Sequence, residues 1–249
     1  MSHRVVAFVQ ARMTSQRLPG KVLASIAGEP MLARVLSRIE SAATIQQTWV
    51  LTSSDRQDDA IEEFCTKRDI PCFRGSLLDV LDRFAQAAKV VNPDIIVRIT
   101  ADCPLVDPAV IDQTVNALTN DPSVVYAATR MPEERTFPVG IDVEVFRLDG
   151  LESAARLARK AYQREHVTPW FYDGSQSGSI VHVKASRDLG NHRWTVDTPE
   201  DLEFMRALWP ELRSDIVGYI EIANILASHP EIQILNSKVR QKHYRETGG

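Results

Sequence analysis

A chain of 249 residues, 44% hydrophobic and 25% charged, is long enough to bury a core and has the composition of an ordinary globular protein. Its net charge of −4 argues against general nucleic-acid binding, so any phosphate site must come from a local concentration of cations. Three cysteines (Cys65, Cys72, Cys103) in no paired spacing, scattered histidines, no secretory h-region and no run near the ~18 apolar residues that span a bilayer predict a cytoplasmic protein with no zinc cluster and no membrane.

The apolar run Val5 to Val9 predicts a strand buried on both faces. The loop that follows, Gln10 to Leu23 (QARMTSQRLPGKVL), carries Arg12, Arg17 and Lys21 with Ser15, Gln16, Pro19 and Gly20 between them. Three cations among hydroxyl and amide donors suit a polyphosphate, whose oxygens accept from cations and backbone amides alike. It is not a P-loop, because Ser15 stands where that motif has glycine and Val22 where it has a hydroxyl residue. The bland alternative is a solvated loop with ordinary charges.

Gly28-Glu29-Pro30 then breaks the chain, and Met31 to Ser41 predicts a helix with Leu32, Val35, Leu36 and Ile39 on its apolar face. Trp49–Thr52 and Pro71–Phe73 read as strands around a helix over 57–68. Leu77 to Val91 reads as a helix in which Asp79, Asp82 and Arg83 share a face, by spacing alone a solvated charged face with an ion pair. Asp94 to Thr100 is apolar enough for a central strand. It ends in Ala101-Asp102-Cys103-Pro104, and Asp107-Pro108 caps a helix to about Leu118. Val124 to Ala128 is the next strand.

After an irregular stretch from Thr129 to Gly140, Ile141 to Phe146 alternates, placing Asp142 and Glu144 on one side. Those carboxylates either meet the hydroxyls of a ligand or form the polar face of an edge strand. Helices are expected over 149–160 and 162–172, strands over Ile180–Val183 and Trp194–Val196, and helices over 199–208 and 215–227, the first of these capped by Thr198 with Pro199 first. The polar tail from Lys238 is expected to fray.

The regular βα alternation predicts an α/β fold with a mostly parallel, doubly wound sheet, whose ligands gather at the carboxyl ends of the strands. The cationic loop and Asp102 both fall there. Asp102 and Asp197 each end an apolar strand ahead of a proline-marked turn. Carboxylates so placed suit magnesium, which binds through one or two of them plus substrate phosphates. A lone strand-end Asp can equally serve a cap, as Asp107 does. Cys103 beside Asp102 reads as a small buried residue rather than a nucleophile.

Five stretches in this order carry a resemblance: S-x-R-L-P-G-K at 15–21, DVLDR at 79–83, RITADCPLVDP at 98–108, REHVTP at 164–169 and WTVDTPEDL at 194–202. Together they span most of the chain, Gln10 to Leu202, and resemble the cytidylyltransferases of the spore-coat polysaccharide biosynthesis protein F type. That family is related to the CMP-3-deoxy-manno-octulosonate and CMP-acylneuraminate synthetases. Around the first carboxylate the octulosonate enzymes differ from the Ala101-Asp102-Cys103-Pro104 found here.

The resemblance implies a Rossmann-like, nucleotide-diphospho-sugar-transferase-like fold in a single nucleotidyltransferase domain over 1–249, with 129–172 as an acceptor-binding and dimerisation excursion. It implies transfer from CTP to a sugar or sugar-acid acceptor, with pyrophosphate released, for surface polysaccharide. Mg2+ would be held by Asp102 and Asp197, and catalysis would rest on Arg12, Arg17, Lys21 and Asp102. Nucleotide contacts would come from Gln10, Ala11, Arg12, Ser15, Arg17, Lys21, Gly75, Ser76, Asp79, Arg83, Arg98 and Asp102. Acceptor contacts would come from Asp142, Glu144, Arg164, Glu165 and His166, and the assembly would be a homodimer.

Three alternatives stay open on the sequence. A sugar-1-phosphate nucleotidylyltransferase would use another base. A glycosyltransferase would normally carry Asp-x-Asp, whose nearest imitation is Asp142-Val143-Glu144. An idle binding module would have no reason to keep Lys21, Asp102 and Asp197 together.

Overall fold

The structure is a computed structural model that describes residues 3–132 and 134–241. β1 (Val5–Gln10) runs through the cationic loop, a 3-10 turn at Lys21–Leu23 and a tight hairpin into α1 (Met31–Glu40). There follow β2 (Gln47–Ser53), α2 (Asp59–Lys67), β3 (Cys72–Gly75), α3 (Val80–Val91), β4 (Ile95–Thr100), α4 (Pro108–Thr119) and β5 (Val124–Ala128). A small ladder between Arg130–Met131 and Glu134–Arg135 precedes β6 (Glu144–Arg147), α5 (Leu148–Leu157), α6 (Ala161–His166), α7 (Pro169–Tyr172) and β7 (Ser179–His182). α8 (Pro199–Leu208), α9 (Tyr219–Ser228) and α10 (Pro230–Gln233) complete the elements.

The seven strands form one sheet in the order β7-β5-β6-β4-β1-β2-β3. All run the same way except β6, which is antiparallel to both neighbours. β1 is apolar throughout because it is covered on both sides. Val5, Ala7 and Val9 pack into the core under α1, α4, α8 and α9, while Val6 and Phe8 pack into the core under α3, α5 and α7. α4 starts where expected: the Asp107 carboxylate accepts from the amides of Ala109 and Val110, with Pro108 first. α8 opens on a reciprocal cap between Thr198 and Asp201. Among the described residues no helix is long and apolar enough to cross a membrane.

Several expectations need correcting. The 141–146 stretch is not an edge strand: β6 is inserted between β4 and β5, and Glu144 lies under the helical layer on the same side as Phe146. Trp194–Val196 does not enter the sheet. It crosses the carboxyl ends of the strands, tied by the amide of Trp194 to Val139 O (2.6 Å) and the amide of Val196 to Asp102 O (3.0 Å). The helix expected over 162–172 is split into α6 and α7, because Pro169 has no amide to continue it and buried Val167 takes φ 68°, ψ −58°. α3 begins at Val80, not Leu77, because the Asp79 carboxylate accepts from the Asp82 amide as its cap. Arg83 turns inward, and the ion partner of Asp79 is Arg164. The tail expected to fray from Lys238 lies, past Gln241, outside the described residues.

Gly140 shows how tightly the crossing segment is seated. Its φ is 104°, and a Cβ there would stand 2.4 Å from the Trp194 carbonyl oxygen. Gly140→Ala is expected to destabilise the fold by about 2 kcal/mol or more, read from the denaturant midpoint, since backbone strain and a main-chain clash add. An unchanged midpoint would mean that the segment is loosely held.

Candidate active site

The cationic loop is shaped by one carboxylate and one carbonyl. Asp58 is fully buried; its Oδ1 accepts from the Met13 amide (2.7 Å), and its Oδ2 from the Ser53 amide (3.1 Å) and hydroxyl (2.5 Å). The Met13 carbonyl then accepts from the amides of Ser15 (3.0 Å) and Gly20 (2.9 Å). Gly20, at φ 72°, takes the left-handed conformation that reverses the chain and delivers Lys21 inward.

Lys21 is 8% exposed, and its ammonium donates to three oxygens: Asp102 Oδ2 (2.8 Å), Asp197 Oδ1 (2.8 Å) and the Val196 carbonyl (2.7 Å). Asp102 follows β4, and Asp197 follows the crossing segment. The amide of Val196 and the hydroxyl of Thr195 (2.9 Å) both donate to Asp102 O, which locks the two carboxylates together. The second oxygen of each is occupied as well. Asp102 Oδ1 accepts from the Thr100 hydroxyl (2.6 Å), and Asp197 Oδ2 accepts from Arg17 (3.0 Å) and Arg193 (2.9 Å). Arg193 is itself anchored on the fully buried Asp201, which also accepts from the amides of Asp197 and Thr198.

The charges are mutually sustaining. Burial alone would push the Lys21 ammonium down, but the charges and hydrogen bonds of Asp102 and Asp197 outweigh it and hold its pKa above the ordinary value. Burial would likewise push Asp102 up, and Lys21, helped by the Thr100 hydroxyl, holds it below the usual carboxylate range. Cys103 is pushed well above an ordinary thiol, first by burial and then by Asp102, so a thiolate nucleophile is disfavoured there.

These groups open onto a cleft of about 860 Å³ at the carboxyl edge of the sheet. Of the residues expected from the sequence, Gln10, Arg12, Ser15, Arg17, Lys21, Asp79, Asp102, Arg164, Glu165 and Asp197 line it together. Arg164 is braced across the opening by Asp79 Oδ2 (2.7 Å). Gln16, one of the loop's amide donors, lines it too, and Thr14, Val22, Leu77, Leu78, Thr100, Ala101 and Ala161 also line it and carried no signal of their own, being small, apolar or uncharged.

Ala11, Gly75, Ser76, Arg83, Arg98, Asp142, Glu144 and His166 do not line the cleft. Ala11 is buried, and Ser76 accepts from the Asp79 amide (3.0 Å) at the start of α3. Gly75 leaves room for Arg83, whose side chain a Cβ would meet at 3.0 Å. Arg83 is 1% exposed, and burial lowers its pKa to about 10. Arg98 pairs with Glu144 and donates to Gln10 Oε1 (2.9 Å). Glu144 does not present its carboxylate to a ligand: its other oxygen accepts from Tyr126 (2.7 Å) and Thr168 (2.6 Å). Burial would raise its pKa, but Arg98 and Arg130 hold it low. Asp142 pairs with Arg135 (2.6 Å). Both carboxylates of the expected acceptor pair are thus engaged in ion pairs and stand outside the cleft lining.

The donor set suits magnesium: two hard carboxylates whose inward oxygens converge on a point already held by a cation, with room left for phosphate oxygens. No cluster of three or more His, Cys, Asp or Glu exists among the described residues, so phosphates would have to complete such a site.

A family model described as Cytidylyltransferase matches residues 6–229. The spore coat polysaccharide biosynthesis protein SpsF of Bacillus subtilis is 32% identical over 237 residues, covering 91% of this chain and 95% of that one. A solved cytidylyltransferase from Leptospira borgpetersenii is 32% identical with a TM-score of 0.88, over 97% of this chain and 100% of that one. The 3-deoxy-manno-octulosonate cytidylyltransferase of Solibacter usitatus is 37% identical over 124 residues, 50% of this chain and 48% of that one.

Proposed function

The chain belongs to the cytidylyltransferase family, and from that premise we propose that it transfers the cytidylyl group of CTP to a hydroxyl of a sugar or sugar-acid acceptor, with magnesium, for surface polysaccharide or another glycan. A bond forms from the acceptor oxygen to the α-phosphorus as the bond from that phosphorus to the bridging oxygen of the leaving pyrophosphate breaks, and the acceptor hydroxyl gives its proton up to solvent. The observation that carries the reading is the convergence of Lys21, Asp102 and Asp197 at the head of a cleft lined by Arg12 and Arg17.

Arg12 and Arg17 neutralise the β- and γ-phosphates and hold the triphosphate extended along the loop. Lys21 meets the charge that grows on the pyrophosphate as the α–β bond opens. Asp102 and Asp197 are the residues that would hold magnesium, which would supply Lewis-acid neutralisation of phosphate charge there. Arg193 fixes the Asp197 carboxylate, and the Arg164–Asp79 pair braces the far wall. No protein nucleophile takes part.

With magnesium present, CTP is expected to raise the melting temperature more than ATP, GTP or UTP, because only the nucleotide that binds the folded state stabilises it. An equal rise from all four, or a larger one from UTP or GTP, would favour a sugar-1-phosphate nucleotidylyltransferase. Pyrophosphate release from CTP on adding candidate acid sugars then identifies the acceptor, and release of a nucleoside diphosphate instead would refute the transfer itself.

A further inference from the structure

Lys21 occupies a cation position rather than lying beside one. Each carboxylate of the site has one oxygen committed to protein donors and one left over, and the two left over, Asp102 Oδ2 and Asp197 Oδ1, meet at the Lys21 ammonium with the Val196 carbonyl. Three oxygens at 2.7–2.8 Å around one point form the face of a coordination shell. Magnesium takes oxygen ligands at about 2.0–2.1 Å, so the same three would need to close by well under an ångström. An ammonium and a divalent ion cannot share that point.

We propose that Lys21 is a resident counter-ion that keeps the metal position closed until a nucleoside triphosphate draws it away, and that the Val196 carbonyl is a third protein ligand of the ion that replaces it. The inference rests on the magnesium reading above. The triphosphate offers the lysine an alternative set of anionic oxygens, and its departure uncovers all three protein oxygens at once. The metal therefore enters with the nucleotide and not before. A binding state that is only fractionally populated weakens apparent affinity by that fraction, so a lysine engaged in nine molecules of ten weakens metal binding about tenfold.

The test measures Mn2+ binding to the full chain without nucleotide, by loss of the free-ion signal in electron paramagnetic resonance. Lys21→Met keeps the side-chain volume and removes the charge, and is expected to bind one Mn2+ at least about tenfold more tightly than wild type, by the same fraction argument. Lys21→Gln is expected to behave alike, and serves if the methionine variant does not fold. Adding Asp197→Asn to either should abolish the gain. Wild type binding Mn2+ as tightly as both variants would overturn the proposal. So would variants that gain nothing while the CTP-induced rise in wild-type melting temperature still requires Mg2+; that result leaves the metal reading standing. If neither variant binds Mn2+ and the CTP shift ignores Mg2+, the metal reading itself fails and this proposal with it.

Discussion

Replacing either Asp102 or Asp197 with asparagine is expected to lower turnover by about 1000-fold or more, a loss of roughly 4 kcal/mol of transition-state stabilisation. The change removes one unit of charge and no volume. Thr100 can still donate to position 102, and Arg17 and Arg193 to position 197. Both carboxylates are partly exposed, at 25% and 18%, so water can solvate what the exchange leaves behind and the melting temperature should move little. Steady-state pyrophosphate release alongside a thermal melt decides the matter. Full activity in both variants would remove the metal assignment, and a collapse of the melt would recast the pair as structural.

The second large effect is expected at Lys21. Lys21→Ala should reduce turnover by about 100-fold or more while CTP affinity changes far less, because the charge it meets develops as the α–β bond opens. Lys21→Arg should rescue poorly, since a planar fork does not replace a compact ammonium held by three converging oxygens. Wild-type kinetics in the alanine variant would mean that the loop is not the phosphate cradle.

The pH profile adds a check. Asp102 is held low, so its pairing contributes above its unfolded value of about 4 and is lost as pH falls through the lower folded one. Lys21 is held high, so its contribution is full below its unfolded value of about 10.4 and is lost as pH rises through the higher folded one. Between those limits the pair keeps its charges, and the deficits of the variants should be flat with pH.

The parts of the site legible in the sequence were those whose chemistry is local. Three cations on one loop and a carboxylate ending an apolar run are local patterns, and the place of Asp102 at the end of β4 follows from the βα alternation, whereas Asp197 ends a segment outside the sheet. Other parts depend on what lies far along the chain. A main-chain carbonyl such as that of Val196 has no sequence signature. Arg193 reads as one charge ahead of an apolar stretch until Asp201 and Asp197 close around it. Asp58 reads as a helix-start acid, yet its main task is to hold the Met13 amide. The alternation of 141–146 correctly put Glu144 opposite Val143 and Val145, but alternation fixes a face and not a neighbour. Only the insertion of β6 between β4 and β5 turns that face inward and gives Glu144 to Arg98.

That same insertion governs how the chain comes off the ribosome. Strands β1 to β4 can pair as they emerge, but β5 has no partner until Glu144–Arg147 arrives, because β6 is the strand that joins it to the rest. A nascent chain ending near residue 140 would carry open edges at β4 and on both sides of β5, with their amides and carbonyls unpaired. Truncations there should form inclusion bodies rather than a working half-enzyme, and a holdase that covers exposed edges should improve the yield of the full chain.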